Sequence, residues 1–352
     1  MNMQPHVLTI RKRDVTKWLA KLLETRDVIA PALGPCGEIV FSEVQAPEQV
    51  LWDFENPLPP PKQFVLPQTD PIVRIQGDGH RTEVAPIYDD RQRVLFNVRP
   101  CDAKGIAFLT HMHEMEPADS SYLRKAGNLT VISLACNKPC RMGFCVCSDS
   151  GPFLNTGHDI QLTDLGEKCL AEIGSAKGER AVADAASLFD PATEDEVAQR
   201  KKLEAEARGG FGEETCHFAS AMRRVSTRRV DDALWDRMSD WCLECGACNF
   251  ICPTCYCFSV KDRGGDGTWT RCRTWDSCQY AAFTLEASGH NPRAQRGERM
   301  RRRFFHKVSA QYYVRDGMTG CVGCGRCIKV CLGATDMPAV VAAIRKGAWH
   351  EQ

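Results

Sequence analysis

The sequence predicts an α+β protein, with an N-terminal α/β domain on a mostly parallel sheet and a mainly helical C-terminal domain. In the first half, an apolar segment, a helical segment and a second apolar segment follow one another between residues 93 and 135. This order is typical of a βαβ unit. In the second half, two runs of closely spaced cysteines flank residues 253–320, which show mainly helical periodicity.

The N-terminal α/β domain is expected to span residues 1–177. Its first helix is indicated by apolar residues at helical spacing, and its strands by short β-like segments. The predicted elements, in order, are an amphipathic helix over 14–25, β segments at 38–44 and 63–67, a strand over 93–98, a helix over 106–115, a strand over 129–135, and a sheet edge with a turn over 152–166.

A charged connector is predicted over residues 178–228. Its first part is rich in Ala, Glu, Lys and Arg, and Pro191 separates two exposed helices there. The C-terminal domain then covers residues 229–352. Its predicted elements are helices over 230–240, 279–288 and 298–313, and a turn at 264–267.

The strongest functional signal is the run from Cys242 to Pro253. It reads C-x2-C-x2-C-x3-C-P, which holds a [4Fe–4S] cluster in bacterial-type ferredoxins, with the fourth cysteine ligating a second cluster. A run with the same 2-2-3 spacing begins at Cys321. The sequence therefore predicts two cubane clusters with crossed ligands: Cys242, Cys245, Cys248 and Cys331 for the first, and Cys321, Cys324, Cys327 and Cys252 for the second.

Zinc is the alternative occupant of these two runs. Structural zinc, however, usually takes two CxxC pairs separated by a longer spacer. One departure from the ferredoxin pattern is that Leu332 follows the last cysteine, in the position that Pro253 takes in the first run. Because proline favours the start of a helix, a helix after the second run is less strongly indicated.

A further group of cysteines follows the two strong strands. Cys101 comes after strand 93–98, and four more cysteines come after strand 129–135. Because loops at the carboxyl ends of neighbouring parallel strands lie side by side, these cysteines should converge. Four of the five could hold a third iron–sulfur cluster; zinc and buried free thiols are the alternatives. The five are Cys101, Cys136, Cys140, Cys145 and Cys147.

Four cysteines beside the first run could form an additional metal site, or could be thiols next to the first cluster. They are Cys255, Cys257, Cys272 and Cys278. The basic stretch from Arg293 to Lys307 could contact nucleic acid. With no nucleic-acid motif around it, we expect instead that it offsets cluster charge and docks acidic partner surfaces, since each cubane adds about −2.

The amino-acid composition narrows the class of protein further. Acidic and basic residues balance at 45 each, so net charge indicates no partner, and the chain has 20 cysteines. A disulfide framework is typical of small secreted domains, and the N-terminus lacks the apolar core of a signal peptide. No apolar run approaches the roughly 18 residues of a transmembrane helix. We expect a cytoplasmic metalloprotein without membrane insertion.

Several motifs, taken together, resemble a known family. The chain looks like the iron–sulfur β subunit of cytoplasmic NAD(P)-linked [NiFe] hydrogenases (sulfhydrogenases), and equally like the corresponding iron–sulfur subunit of anaerobic sulfite reductase. The resemblance spans roughly residues 90–335. The motifs that carry it are RPCD (99–102), the cysteine segment ending at Cys147, CLECGACNFICPTCYC (242–257), RTWDSC (273–278), ASGHNPR (287–293), FFHK (304–307) and CVGCGRC (321–327).

The resemblance implies that this chain relays electrons between a flavin-containing diaphorase subunit and a catalytic subunit of a multi-subunit complex in anaerobic metabolism. It also implies that Cys101, Cys136, Cys145 and Cys147 are the ligands of the third cluster, with Cys140 as an alternate. The second run in this family ends in Cys-Pro, whereas here it ends Cys331-Leu332.

The residues themselves favour electron transfer over bond-making. A cubane held by four cysteines has no open coordination position for a substrate, unlike a catalytic metal site. The sequence contains no Gly-rich dinucleotide fingerprint, so flavin and nicotinamide are expected on another chain. We expect a non-catalytic relay from a flavoprotein, linked to NAD(P)H or ferredoxin, to a reductase or hydrogenase subunit. The alternatives are a thiol/disulfide reductase subunit using the additional cysteines and a DNA-binding redox sensor.

Overall fold

The computed structural model describes residues 6–77, 80–211 and 216–349, and it confirms the predicted α+β class. Two sheets organise these residues, one of eight strands and one of four. None of the helices in the described ranges has the length and apolar character needed to cross a membrane.

The strands, numbered in chain order, belong to both halves of the chain. They are β1 His6–Arg11, β2 Asp27–Leu33, β3 Ile39–Glu43, β4 Thr69–Gly77, β5 Thr82–Pro86, β6 Arg93–Val98, β7 Leu129–Leu134, β8 Ile160–Asp164, β9 Lys168–Ile173, β10 Phe189–Pro191, β11 Phe258–Gly265 and β12 Thr268–Trp275.

The helices are concentrated in the second half. They are α1 Lys12–Leu23, α2 Pro100–Glu114, α3 Ser120–Gly127, α4 Ala176–Ala183, α5 Glu194–Gly209, α6 Phe218–Ser226, α7 Asp232–Ser239, α8 Ala247–Phe250, α9 Arg296–Val308, α10 Ala310–Asp316, α11 Arg326–Val330 and α12 Met337–Lys346.

The large sheet has the order β10-β1-β9-β8-β7-β6-β2-β3. Its central strands β2, β6, β7 and β8 are parallel, and antiparallel pairs extend it on both sides. Every residue of β6 and β7 is buried, as expected for parallel strands covered on both faces. Trp18 and Phe96 belong to the core on one face, and Phe108 and Tyr122 to the core on the other. The predicted βαβ unit is therefore confirmed.

Three N-terminal elements differ from their predictions. Helix α2 begins at Pro100, before the predicted start at residue 106, because proline suits the first turn of a helix. Cys101 therefore lies in the helix rather than in a loop. The segment 63–67 was predicted as β, but Pro61–Phe64 form a 3-10 turn. Residues 152–166 were predicted at a sheet edge, whereas β8 lies between β7 and β9.

The predicted connector over 178–228 is also different. Its two helices exist as α4 and α5, but Pro191 lies in β10, which pairs with β1 at the edge of the large sheet. An ion pair from Arg200 on α5 to Glu172 on β9 attaches the second helix to the same sheet. This part of the segment is thus built into the N-terminal sheet, and the sheet continues beyond residue 177.

The C-terminal half is mainly helical, as predicted. Helices α6, α7, α9 and α12 enclose a core that includes Trp235, Phe304 and Val340. The predicted helix over 298–313 is present as α9 and α10, which meet at Ser309. The predicted helix over 279–288 is absent, and the structure has turns there.

A hairpin in the C-terminal half was not predicted. Strands β11 and β12 are joined by the expected turn at 264–267, and β12 pairs with β4 from the N-terminal half. The order of this second sheet is β11-β12-β4-β5. Sheet hydrogen bonds thus connect the two halves of the chain directly.

A buried ion network reinforces that connection. Asp70 on β4 accepts hydrogen bonds from Lys125 on α3 at 2.8 Å and from Arg273 on β12 at 2.7 Å. All three side chains are buried. Arg273 also pairs with Asp119. The hairpin is therefore held by charge pairing as well as by backbone pairing.

We predict that Asp70→Ala destabilises the protein by about 3–5 kcal/mol, because it leaves buried cations without their partner. The melting temperature of the anaerobically purified protein measures the effect. Asp90→Ala is the matched control, since Asp90 pairs with Arg124 where both side chains are more than half exposed. Its cost should be about 0–1 kcal/mol. Equal melting temperatures for both variants would contradict this role of the network.

Candidate metal centres

The two cysteine runs fold in the same way. In each run, a glycine with left-handed backbone precedes a short helix: Gly246 (φ 72°) before α8, and Gly325 (φ 76°) before α11. Glycine adopts this conformation without the steric cost that a side chain adds. The two helices contact each other. The repeated local structure brings both runs together inside the C-terminal half.

The cysteines of the two runs are neighbours in the crossed arrangement. Burial, and to a smaller extent the charge of Cys331, raises the pKa of the Cys242 thiol. Burial also raises the pKa of Cys321 and of Cys324, and Cys252 adds to both shifts. The Thr254 hydroxyl, 3.2 Å from the sulfur of Cys252, donates to the carbonyl of Gly320 beside the second run. Gly333, just after Cys331, lies against the backbone of Trp241 and Cys242. These positions fit the predicted crossed ligation.

The N-terminal cysteines converge on a cavity of about 960 Å³ beside the second run. Cys101 lies in the first turn of α2, and Cys136 follows β7. Burial first, and then the charges of neighbouring thiols, raises the pKa of Cys145. The cysteines that line this cavity are Cys101, Cys136, Cys140, Cys145 and Cys324, together with the core residue Cys169.

Cys147 is not among the residues that line this cavity. It packs against the helical core of the C-terminal half, and its charge acts on Cys216. The family resemblance implied Cys147 as a ligand and Cys140 as an alternate. The structure brings Cys140 to the cavity and places Cys147 elsewhere.

The N-terminal cysteine loop packs directly on the second run. The backbone N–H of Phe144 donates to the carbonyl of Gly323 at 2.8 Å. A Cβ on Gly323 would lie 2.6 Å from the Cα of Cys145, so only glycine permits this approach. Cys101 and Cys145 also belong to one apolar cluster with Val322 and Cys324. The third candidate site is thus adjacent to the second.

A buried ion pair fixes this contact. The guanidinium of Arg326 binds the carboxylate of Asp102 with two hydrogen bonds, of 2.6 and 2.8 Å, and its Nε donates to the carbonyl of Pro57. Asp102 is 0% exposed and Arg326 is 1% exposed. Asp102 directly follows Cys101, and Arg326 directly precedes Cys327; both cysteines are candidate ligands. The sequence motifs contain both residues, but the charge pair was not predicted.

Three buried cations lie among the cysteines. Lys307 is 3.5 Å from the sulfur of Cys252, and Lys62 donates to the carbonyl of Cys255 at 2.9 Å. Burial opposes the charge of Arg303, yet the thiols of Cys248 and Cys327 raise its pKa above the usual value. Among the described residues, no carboxylate forms an ion pair with any of the three cations (Lys62, Arg303 and Lys307).

These cations show that the donor set fits anionic clusters. A buried cation is costly unless its charge is balanced. The charge of Asp336 interacts with Arg303, but the Nε of Arg303 has no hydrogen-bond partner. Cubanes ligated by four thiolates carry negative charge and would supply the missing partner. Arg303 and Lys307 belong to the basic stretch, which therefore turns partly inward. Nothing in the sequence marked Lys62, which lies in a proline-rich segment.

The additional cysteines do not assemble as one four-cysteine site. Cys255, Cys257 and Cys278 line a cavity of about 280 Å³, whereas Cys272 lies on β12 and does not line it. In the described ranges, no three Cys, His, Asp or Glu side chains converge as tightly as a single metal ion requires. A cubane places its thiolates farther apart than one ion does, so this finding concerns single-ion sites only.

Fold and sites together define the chain as an iron–sulfur electron-transfer protein with [4Fe–4S] clusters. Residues 241–335 match a family model described as a 4Fe-4S dicluster domain. The chain is also 31% identical over 316 residues to sulfhydrogenase 2 subunit beta of Pyrococcus furiosus, covering 87% of this chain and 89% of the relative. It belongs to the iron–sulfur beta subunit family of sulfhydrogenases. No solved structure matches the chain.

We predict that Cys140→Ser lowers the iron content by about 4 atoms per chain, the content of one cubane. Cys147→Ser should leave the iron content unchanged, because Cys147 does not line the cavity. Iron and acid-labile sulfide, measured on anaerobically purified protein, test both variants. The opposite pattern would favour the ligand set that the family resemblance implies.

Lys307→Met should make the reduction potential of the adjacent cluster more negative. Removing a buried positive charge disfavours the added electron, and a shift of about 59 mV corresponds to a tenfold change in the one-electron equilibrium. Redox titration followed by electron paramagnetic resonance measures the shift. Lys307→Arg keeps the charge, and Lys329→Met removes a partly exposed cation that pairs with Glu55. If all three variants change the reduction potential by the same amount, Lys307 does not tune this cluster.

Proposed function

We propose that the chain is a one-electron relay subunit with three [4Fe–4S] clusters in a row. The packing of the N-terminal cysteine loop on the second run carries this proposal. The proposed ligands are Cys101, Cys136, Cys140 and Cys145 for the N-terminal cluster, Cys321, Cys324, Cys327 and Cys252 for the middle cluster, and Cys242, Cys245, Cys248 and Cys331 for the outer cluster.

The order of the three sites follows from their contacts. The N-terminal site touches the middle site, where Cys101 and Cys145 pack with Cys324. The middle and outer sites share Arg303, whose charge interacts with Cys248 of one and Cys327 of the other. No such contact joins the N-terminal and outer sites among the described residues. The row thus runs from the N-terminal half into the C-terminal half.

The two ends of the row reach different surfaces. Cys245 is exposed at the outer site. At the opposite end, Cys136 and Cys140 are partly exposed beside the larger cavity. A relay needs one entry and one exit, and this arrangement supports a separate partner at each end.

The protein supplies the environment of the clusters, which when bound provide one-electron chemistry. Backbone N–H groups of Gly323 and Thr335 donate to the sulfurs of Cys321 and Cys331, at 3.5 and 3.2 Å. Such hydrogen bonds, together with burial and nearby cations, set cluster potentials. No step at these residues makes or breaks a substrate bond.

We further propose that the two partners are a flavoprotein subunit and a catalytic reductase or hydrogenase subunit. The relative in Pyrococcus furiosus is named as a sulfhydrogenase subunit, which supports a multi-subunit assembly. Electrons would enter from NAD(P)H or ferredoxin through the flavoprotein. The family resemblance supports a cytoplasmic location for this complex.

Cys324→Ala should abolish physiological electron transfer in the complex, because it removes a ligand of the middle cluster. Cys245→Ser should do the same at the outer cluster. The measurement is electron flow from the native donor to the native acceptor in the complex purified without oxygen, with iron determined in parallel. Cys36→Ser, at an exposed cysteine outside the three sites, is the control. Persistent electron transfer in a variant that has lost the cluster would refute the relay.

A further inference from the structure

Three cysteines near the middle and outer sites, Cys255, Cys257 and Cys278, have no role in the proposed relay. Two pairs of cysteines here lie so close together that the partner sulfur is the largest cause of each thiol's pKa shift: Cys252 with Cys255, and Cys257 with Cys278. Cys255 therefore lies against a proposed ligand of the middle cluster. Cys257 and Cys278 form a separate pair to which the relay assigns no role.

The hairpin holds this pair in place. Cys257 immediately precedes β11, and Cys278 follows β12, whose Trp275 pairs with Phe258. The backbone N–H of Asp276 donates to the carbonyl of Cys257 at 2.9 Å. Strand pairing and this hydrogen bond thus bring Cys257 and Cys278 side by side, which disulfide formation requires.

A buried amide connects the pair to the outer cluster site. The Nδ2 of Asn249 lies 3.0 Å from the sulfur of Cys278 and 3.9 Å from that of Cys257. Asn249 directly follows Cys248, a proposed ligand of the outer cluster, and is 1% exposed. A single buried amide thus links the pair to Cys248, a proposed ligand of the outer cluster.

The surroundings of the pair are cationic. The cavity of about 280 Å³ that Cys257 and Cys278 line also receives cationic side chains, and none of the described residues that line it is acidic. Positive charge stabilises a thiolate, which is the reactive form in thiol–disulfide chemistry. The cationic residues of the lining are Arg293, Arg302, Arg303 and Lys307.

We propose that Cys257 and Cys278 form a redox-active dithiol/disulfide pair that exchanges two electrons with the relay. On oxidation, the two S–H bonds break, one S–S bond forms, two protons leave to solvent, and two electrons leave one at a time. [4Fe–4S] clusters held by the proposed ligands of the outer and middle sites would serve as the two one-electron acceptors. Reduction reverses every step, so the pair stores two electrons beside a one-electron path.

The test uses the wild-type complex, equilibrated anaerobically at a series of potentials. Free thiols are alkylated, disulfides are reduced and alkylated with a second reagent, and peptides are quantified by mass spectrometry. We expect Cys257 and Cys278 to become protected together as the potential rises. The ratio of disulfide to dithiol should change tenfold per about 30 mV, the dependence of a two-electron couple.

Single variants provide the second measurement. Cys257→Ser and Cys278→Ser should each abolish the protected species and leave the iron content unchanged. Cys272→Ser removes a buried thiol from the same hairpin that does not line the cavity, and should leave the protection of the pair intact. The comparison distinguishes the pair from the general loss of a cysteine in this region.

Two results would overturn the inference. If either pair variant loses about 4 iron atoms per chain, the two cysteines are cluster ligands instead. If both cysteines are alkylated to the same extent at every potential, they are inert thiols. The inference rests on the relay proposal, but different results would refute the relay and the redox pair. A wild-type complex without cluster iron refutes the relay, whereas full iron with no disulfide refutes only the redox pair.

Discussion

The ion pair between Asp102 and Arg326 is the interaction on which the arrangement of the cluster sites depends. It joins α2 of the N-terminal half to α11 of the C-terminal half, with Cys101 and Cys327 as immediate neighbours. Both side chains are buried away from solvent, so neither charge is tolerable without the other. Together with the pairing of β4 and β12, it makes the N-terminal and middle sites parts of one interface within the chain.

Sequence patterns predicted those elements whose structure is determined mainly by residues close together in the chain. The buried strands β6 and β7 are short apolar runs, and the 2-2-3 cysteine spacing reflects a loop whose glycine turns around sulfur. The hairpin of β11 and β12 was missed because β11 is almost entirely exposed, and its apolar–polar alternation covers only residues 258–261 before a polar and glycine-rich end. The second strand of the hairpin, β12, pairs with β4, which is nearly two hundred residues away in sequence, and a pairing that distant has no local sequence signal.

Local sequence also could not predict which of the N-terminal cysteines lie together at the cavity. Strand order predicted that Cys101 and Cys136 would converge, because both follow parallel neighbours. It could not decide between Cys140 and Cys147, which lie in one irregular loop. The structure packs Cys147 against the helical core, and the loop also makes the long-range contact of Phe144 with Gly323, which local sequence does not reveal. The inward orientation of Arg303 and Lys307 could not be predicted from composition, because composition shows only that acidic and basic residues are equal in number.

The buried cations Lys62, Arg303 and Lys307 have a consequence for biogenesis. A polypeptide that folded completely before receiving its clusters would enclose these three basic side chains without an ion pair to any described carboxylate, and burial alone lowers the pKa of Lys62. Folding and cluster insertion are then linked, as in metalloproteins whose binding free energy is folding free energy. The chain without clusters would remain open around α9 until iron and sulfide arrive.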